Sequence, residues 1–261
     1  MSEGRRRLPG APARAGGAEQ AGNTVIALLR YETAIMARSY RWLFPVITYA
    51  FLVSVGFQGQ TPLAEGLDWS AAMLVPAVAL LTRMTVCAEP DAARAVVAAA
   101  AGPARAHLAA VSTAAGAGVL LGLAGAVFEV LTSESVARRP AGGLAAKATA
   151  ALVHPGVLVA GLAVAVVCLL VGSAVGTLCN PPLIRHPGMA VLSTLCLVVL
   201  GLVSGVSPAA AALRYRGGAG TALPHWPGAV PVLTSVCLAT VTWTAAAMAA
   251  ARRDSRATSG G

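Results

Sequence analysis

LVHPGVLVAGLAVAVVCLLVGSAVGTL, residues 152–178, carries no Asp, Glu, Lys or Arg over 27 positions. A helix needs about 20 residues to cross a hydrocarbon core of roughly 30 Å, so this stretch alone reads as a membrane span. Strand alternation is absent. In lipid every backbone N–H must be paired inside its own segment, which leaves a helix. Five further apolar runs read the same way, at 43–59, 69–88, 107–131, 189–206 and 229–251. The first and fifth in chain order are slightly short. The third and fourth are long, and tilt or extend past the bilayer. The expected fold is an all-α membrane protein with six transmembrane helices, preceded by an amphipathic interfacial helix, both termini cytoplasmic.

Composition agrees. The chain has 261 residues, is 57% hydrophobic and 11% charged, and its mean hydropathy is +0.73. Soluble domains carry about 25% charged residues, so an ordinary soluble enzyme is excluded. Basic residues outnumber acidic ones 19 to 10, and the only lysine is Lys147, between Ala146 and Ala148. A nucleotide-binding P-loop needs Gly-Lys followed by Ser or Thr, the lysine reaching the phosphates. None is present, so ATP, if it drives this protein, is hydrolysed by another polypeptide. Cys87, Cys168, Cys179, Cys196 and Cys237 lack C-x-x-C spacing and read as small apolar filler. His107, His154, His186 and His225 lie at segment ends or in loops, with no H-E-x-x-H. The reading is a non-enzyme without catalytic residues, metal site or cofactor of its own.

Residues 1–22 are rich in Arg, Ala, Gly and Pro without an apolar period and read as a disordered basic tail. No apolar h-region follows Arg5–Arg7, so no cleaved signal is expected. Residues 23–42 differ. With Val25 at zero and about 100° per residue, Leu29, Met36, Tyr40 and Leu43 fall within about 60°. Arg30, Arg38 and Arg41 fall on the opposite side. Glu32 breaks the pattern beside the apolar stripe. This basic amphipathic helix is expected flat on an anionic cytoplasmic surface, in contact with membrane lipid. With the N-terminus inside, inner segments hold 14 basic residues against five in the outer ones, as the positive-inside rule favours. A plasma-membrane location with both termini inside follows. The expected division is the tail 1–22, a six-helix transmembrane domain 23–252 and a short cytoplasmic tail 253–261.

Within the assigned spans the only charged residues are Arg83 and Glu129. Both are near span ends, where long side chains snorkel to the interface. The sharper reading places Glu129 in an outer vestibule that meets cationic substrates. Gly118/Gly122, Gly172/Gly176 and Gly201/Gly205 repeat at the four-residue spacing of close helix contacts and read as ordinary bundle packing.

The connection 88–106 reads AEPDAARAVVAAAAGPARA. Pro90 suits a helix start, and Asp91 favours the positive end of the dipole. Arg94 is within side-chain reach of Asp91. Val96 and Val97, with Ala100, give an apolar ridge, and Gly102-Pro103 ends the helix. A plain connector needs only two to eight residues; a turn-bounded helix of about ten is more than that.

This order of elements resembles the permease subunit of type-2 ATP-binding-cassette exporters. In that resemblance Asn23–Trp42 is the connecting helix. Asp91–Ala101, with its Gly102-Pro103 turn, is the coupling helix that docks on a separate ATPase subunit. The loop GTLCNPPLIRHPG, 176–188, looks like the short inner loop of actinobacterial members, and SPAAAALRY, from Ser207, looks like the short outer helix before the last span. The resemblance implies export by alternating access, of lipophilic or amphiphilic cargo. It also implies a homodimer or a paired sister permease, ATP bound only on the partner ATPase, and no nucleic acid among the partners. The alternative reading is a non-transporting multi-span anchor or regulatory partner.

Overall fold

The computed structural model describes residues 15–56, 61–132, 155–180, 184, 187–217 and 227–259. Among them the regular structure is helical: α1 Ala15–Ser39, α2 Leu43–Gly56, α3 Leu63–Val86, α4 Asp91–Ala101, α5 Pro103–Thr132, α6 Pro155–Leu178, α7 Pro187–Val203, α8 Pro208–Gly217 and α9 Ala229–Ser259. Proline opens α5, α6, α7 and α8 at the first helical position, where its missing N–H costs nothing and its fixed φ is already helical. Among the described residues five stretches are long and apolar enough to cross a membrane: α3, α5, α6, the run Gly188–Arg214 through α7 and α8, and Ala229–Arg252 of α9. The expected first span differs. α2 has 14 residues, about 21 Å at 1.5 Å per residue, well short of a hydrocarbon core of roughly 30 Å.

Two other bounds differ from expectation. α1 begins at Ala15, inside the stretch assigned to the tail; AGGAEQAG holds Ala, Glu and Gln, which favour helix without any apolar period. α9 continues to Ser259, through the residues assigned to the C-terminal tail. Residues 1–14 and the 133–154 connection, with Arg138, Arg139 and Lys147, lie outside the described residues.

The bundle is built on α3 and α6, whose apolar stretches are 61% and 56% buried, against 33% for α5 and 28% for α9. Ala71, Val75 and Ala79 of α3 meet Val164, Val167, Val171 and Val175 of α6, and Val198 of α7 with Ala209 and Ala212 of α8 closes that cluster. On the other side of α3, Leu74, Ala77 and Val78 pack with Tyr49 and Val53 of α2. α9 leans on α5 and α6, and Trp243 packs against Val86, Ala110 and Val111. Several threonine hydroxyls inside the spans bond within their own helices: Thr82 to Val78, Thr113 to Ala109 and Thr194 to Ala190. They are thereby satisfied in lipid.

Close approach of α3 and α6 depends on two of the glycines. A Cβ at Gly172 would lie 2.7 Å from the Val75 carbonyl oxygen, and one at Gly176 2.8 Å from that of Ala79 and 2.7 Å from Thr82 Cβ. Backbone cannot retreat as a side chain can. Gly176→Val is therefore expected to cost about 1–3 kcal/mol through overpacking, read as a lower unfolding temperature in detergent. Gly116→Ala, which meets nothing within 4 Å, is the control and is expected to be neutral or slightly stabilising.

Candidate functional site

The segment singled out in the sequence folds as expected locally. α4 spans Asp91–Ala101, with Pro90 extended before it (φ −60°, ψ 147°) and Gly102 at φ 88° after it. That left-handed φ suits glycine alone among ordinary residues. The Gly102 N–H donates to Ala98 O at 2.8 Å, and Pro103 starts α5 at once. α4 therefore folds back on α5 and packs against it.

Its two faces are unlike. Ala93, Arg94, Val97 and Ala98 are half-buried, while Ala92, Ala95, Val96, Ala99 and Ala100 are exposed, Val96 by 69%. Arg94 turns inward: its Nη2 donates to the Val86 carbonyl at 2.6 Å. There the guanidinium satisfies a carbonyl at the C-terminal end of α3 and complements its dipole. The side chain of Asp91 lies outside the described residues. The outward face of α4 is thus a stripe of small apolar side chains, and Arg94 belongs to the internal joint.

The elbow between α3 and α4 gathers polar groups from three more elements. Tyr31 of α1 donates its hydroxyl to Glu89 Oε1 at 2.9 Å. Arg41, after α1, donates to the Cys87 carbonyl at 3.4 Å. Cys87 Sγ lies 3.9 Å from Asn180 Oδ1, and Asn180 Nδ2 donates to Gly176 O at 2.7 Å, which ties the end of α6 to the same place. Glu32 is buried beside them, 4% exposed. Burial, then the neighbouring Glu89, push its carboxyl up to about 7, with Arg94 pulling the other way. The Tyr31 hydroxyl is also pushed up, first by its hydrogen bond to Glu89 and then by burial. The face that α1 turns inward runs through Leu28, Glu32, Ile35 and Ser39. Glu32 breaks the apolar pattern because it points into this junction. Arg30 and Arg38 are exposed, as are Val25 and Ile26 on the outer side of α1.

Glu129 lies at the far end of the bundle from α4. It is 4% exposed, and its carboxyl packs against Gly66 of α3. Nearby, Tyr49 Oη donates to Ser70 O at 3.3 Å, with Gly125 of α5 against the phenol. The cavity lined by Tyr49, Ser70, Leu67, Leu74, Gly122 and Gly161 is about 10 Å³, room for a single water. It does not hold a substrate-sized chamber. No group of three or more His, Cys, Asp or Glu with metal-binding geometry occurs among the described residues. His154, His186 and His225 lie outside them.

The sequence points to α4 and Arg94 but misses Tyr31, Glu89 and Asn180; the misplaced acid at Glu32 is the one local signal of the junction. Comparison with protein-family models, with curated proteins and with solved structures finds no match to this chain. Fold and junction together define an all-helical chain with the build of a multi-pass membrane protein.

The Tyr31–Glu89 hydrogen bond is expected to couple α1 to the elbow. In a double-mutant cycle of Tyr31→Phe and Glu89→Gln, the interaction energy should be about 1 kcal/mol, measured by unfolding in detergent. Strict additivity would show that the two side chains do not stabilise one another.

Proposed function

We propose that this chain is the permease subunit of an ATP-binding-cassette exporter in the plasma membrane. A separate ATPase subunit drives it, and two six-span units form the transport pathway. The observation that carries the reading is α4. It is a helix bounded by Pro90 and Gly102-Pro103, anchored to α3 through Arg94, with an outward apolar stripe of Ala92, Ala95, Val96 and Ala99. A plain connector has no reason to be anchored on one face and bare on the other. A helix that receives a partner has both. α2 serves as the sixth, shorter crossing, which a locally thinned bilayer accommodates. Alternating access then moves lipophilic or amphiphilic cargo between the paired units. Both termini sit on the cytoplasmic side, with α1 at the inner surface.

The anchoring of Arg94 decides how to test the coupling role. Charge reversal at Arg94 would damage the joint itself. Val96→Glu with Ala99→Glu places two charges on the exposed stripe and leaves the joint intact. That variant is expected to insert and fold normally, yet to lose about tenfold or more in association with the cognate ATPase, since a charge buried unpaired at an interface costs over 1.4 kcal/mol. Pull-down from mild detergent and ATP-driven transport in reconstituted vesicles read this out. Wild-type transport by the variant would leave α4 a connector. Capture of no P-loop ATPase by the wild-type chain would favour the anchor reading.

Topology is separable. On a Cys-free background, Glu65→Cys should react with an impermeant maleimide from outside, and Ala95→Cys only after the membrane is opened. The reverse pattern would overturn the orientation.

A further inference from the structure

We propose that the junction of Tyr31, Glu32, Glu89 and Arg94 is a proton-sensitive latch, which ties α1 to the α3–α4 elbow and loosens as pH rises. The proposal concerns this chain alone and holds whatever docks on α4.

The geometry comes first. Two carboxylic acids on different elements, Glu32 of α1 and Glu89 of the elbow, are both buried, 4% and 8% exposed. Glu89 has a donor in Tyr31 at 2.9 Å. The guanidinium on the same side, Arg94, already gives Nη2 to the Val86 carbonyl at 2.6 Å. A buried carboxylate is tolerated only when paired and hydrogen-bonded. One cation held by α3 cannot neutralise two such groups. With Glu32 protonated, the junction contains one carboxylate, one guanidinium and a phenol that donates to the carboxylate, and its charges balance. With Glu32 ionised, two like charges are enclosed together.

Other charged groups lie on the neighbouring elements, Arg83 in the last turn of α3 among them. Glu32 feels Glu89 from the elbow and Arg94 from α4. α5, on which α1 packs, offers Arg105, which is exposed, and His107, which lies within electrostatic reach of Arg94. Arg30 and Arg38 of α1 are exposed. Arg41 reaches the Cys87 carbonyl, so it serves the elbow's backbone.

The closed junction raises the Glu32 carboxyl from 4.5 to about 7, so closure binds the proton more tightly than the open form does. Below the open-form value both forms are protonated and closure carries no charge cost. Between the two values closure weakens progressively, the proton passing to solvent as α1 lifts. Above about 7 the full cost is present. The change therefore falls between the open-form value and about 7, and across that window pH alters the population of α1 held against the elbow.

The full-length chain in lipid nanodiscs tests this. Spin labels at Ala34→Cys on α1 and Ala92→Cys on α4, both exposed positions, on a Cys-free background, report the separation by pulsed dipolar spectroscopy. At pH 5 a single narrow distance is expected. Toward pH 8.5 a second, longer population should appear, its growth levelling off above about 7. Glu32→Gln should keep the narrow distance at every pH, and Glu89→Gln should widen the distribution less at high pH. The titration with Glu32 intact leaves Tyr31, Glu32, Glu89 and Arg94 in place, and the narrow distance at pH 5 shows that the labelled Cys-free chain is folded. A distribution unchanged between pH 5 and 8.5, or a Glu32→Gln chain that responds as the parent does, would overturn the latch.

Discussion

The close approach of α3 and α6 is the constraint on which the other contacts rest. Lipid tails are as apolar as leucine, so no hydrophobic gain draws two spans together. Close van der Waals packing must do so, and it requires small residues where backbones meet. Gly172 and Gly176 supply that surface against Val75 and Ala79. Thr82 sits in the same contact and satisfies its hydroxyl at Val78 of its own helix. Once this pair is fixed, α3 presents Leu74 and Val78 to the other side, where α2 and α5 pack. α6 presents Val171 and Val175 to α7 and α8. The more peripheral helices are correspondingly exposed, as lipid-facing surfaces are.

Gly201/Gly205 has the same four-residue spacing and does none of this. The nearest atom to a Cβ at Gly201 is 3.9 Å away, and Gly205 meets only the Arg214 guanidinium. Spacing alone therefore could not select the pair that matters, because the choice is made by which helix lies opposite. The same distinction separates the legible from the illegible elsewhere. The break at Gly102-Pro103 was readable, since a left-handed glycine followed by a proline at a helix start is local chemistry. The start of α3 at Leu63 was not, because Glu65 and Asp68 hide it from an apolar count. An apolar run marks the thickness of hydrocarbon, and a helix continues beyond it wherever its backbone bonds do. The early start of α1 was missed for a related reason, its first residues having helix propensity without a face.

The junction was legible only as an anomaly. Glu32 stood on the wrong side of an amphipathic helix, and a helical wheel cannot say what would meet it. Glu89 and Asn180 are 91 residues apart in the chain and come to one elbow only because α3 and α6 end side by side. The joint is thus a consequence of the glycine contact that fixes those two helices. Arg94 gives the joint its direction. A guanidinium that capped nothing would leave α4 free to pivot on Gly102. With Nη2 on the Val86 carbonyl, α4 is held at one end by α3 and at the other by the immediate start of α5.

A force applied to the outward stripe of α4 consequently has few places to go. Gly102 permits rotation, but the hydrogen bond to Val86 and the packing against α5 pass displacement into α3 and α5, and from α3 into its glycine contact with α6. Coupling through a bundle needs rigid elements joined where two arrangements are close in energy. The apolar contact of α3 with α6 is a poor candidate for the second arrangement, because separating it loses packing with nothing regained from lipid. The polar elbow is a better one, since water can take over each of its hydrogen bonds when it opens. Rigidity and compliance are therefore divided by chemistry. The Ala, Gly and Val surfaces hold the spans together, while buried Glu32, Glu89 and Asn180 gather where the helices meet α4.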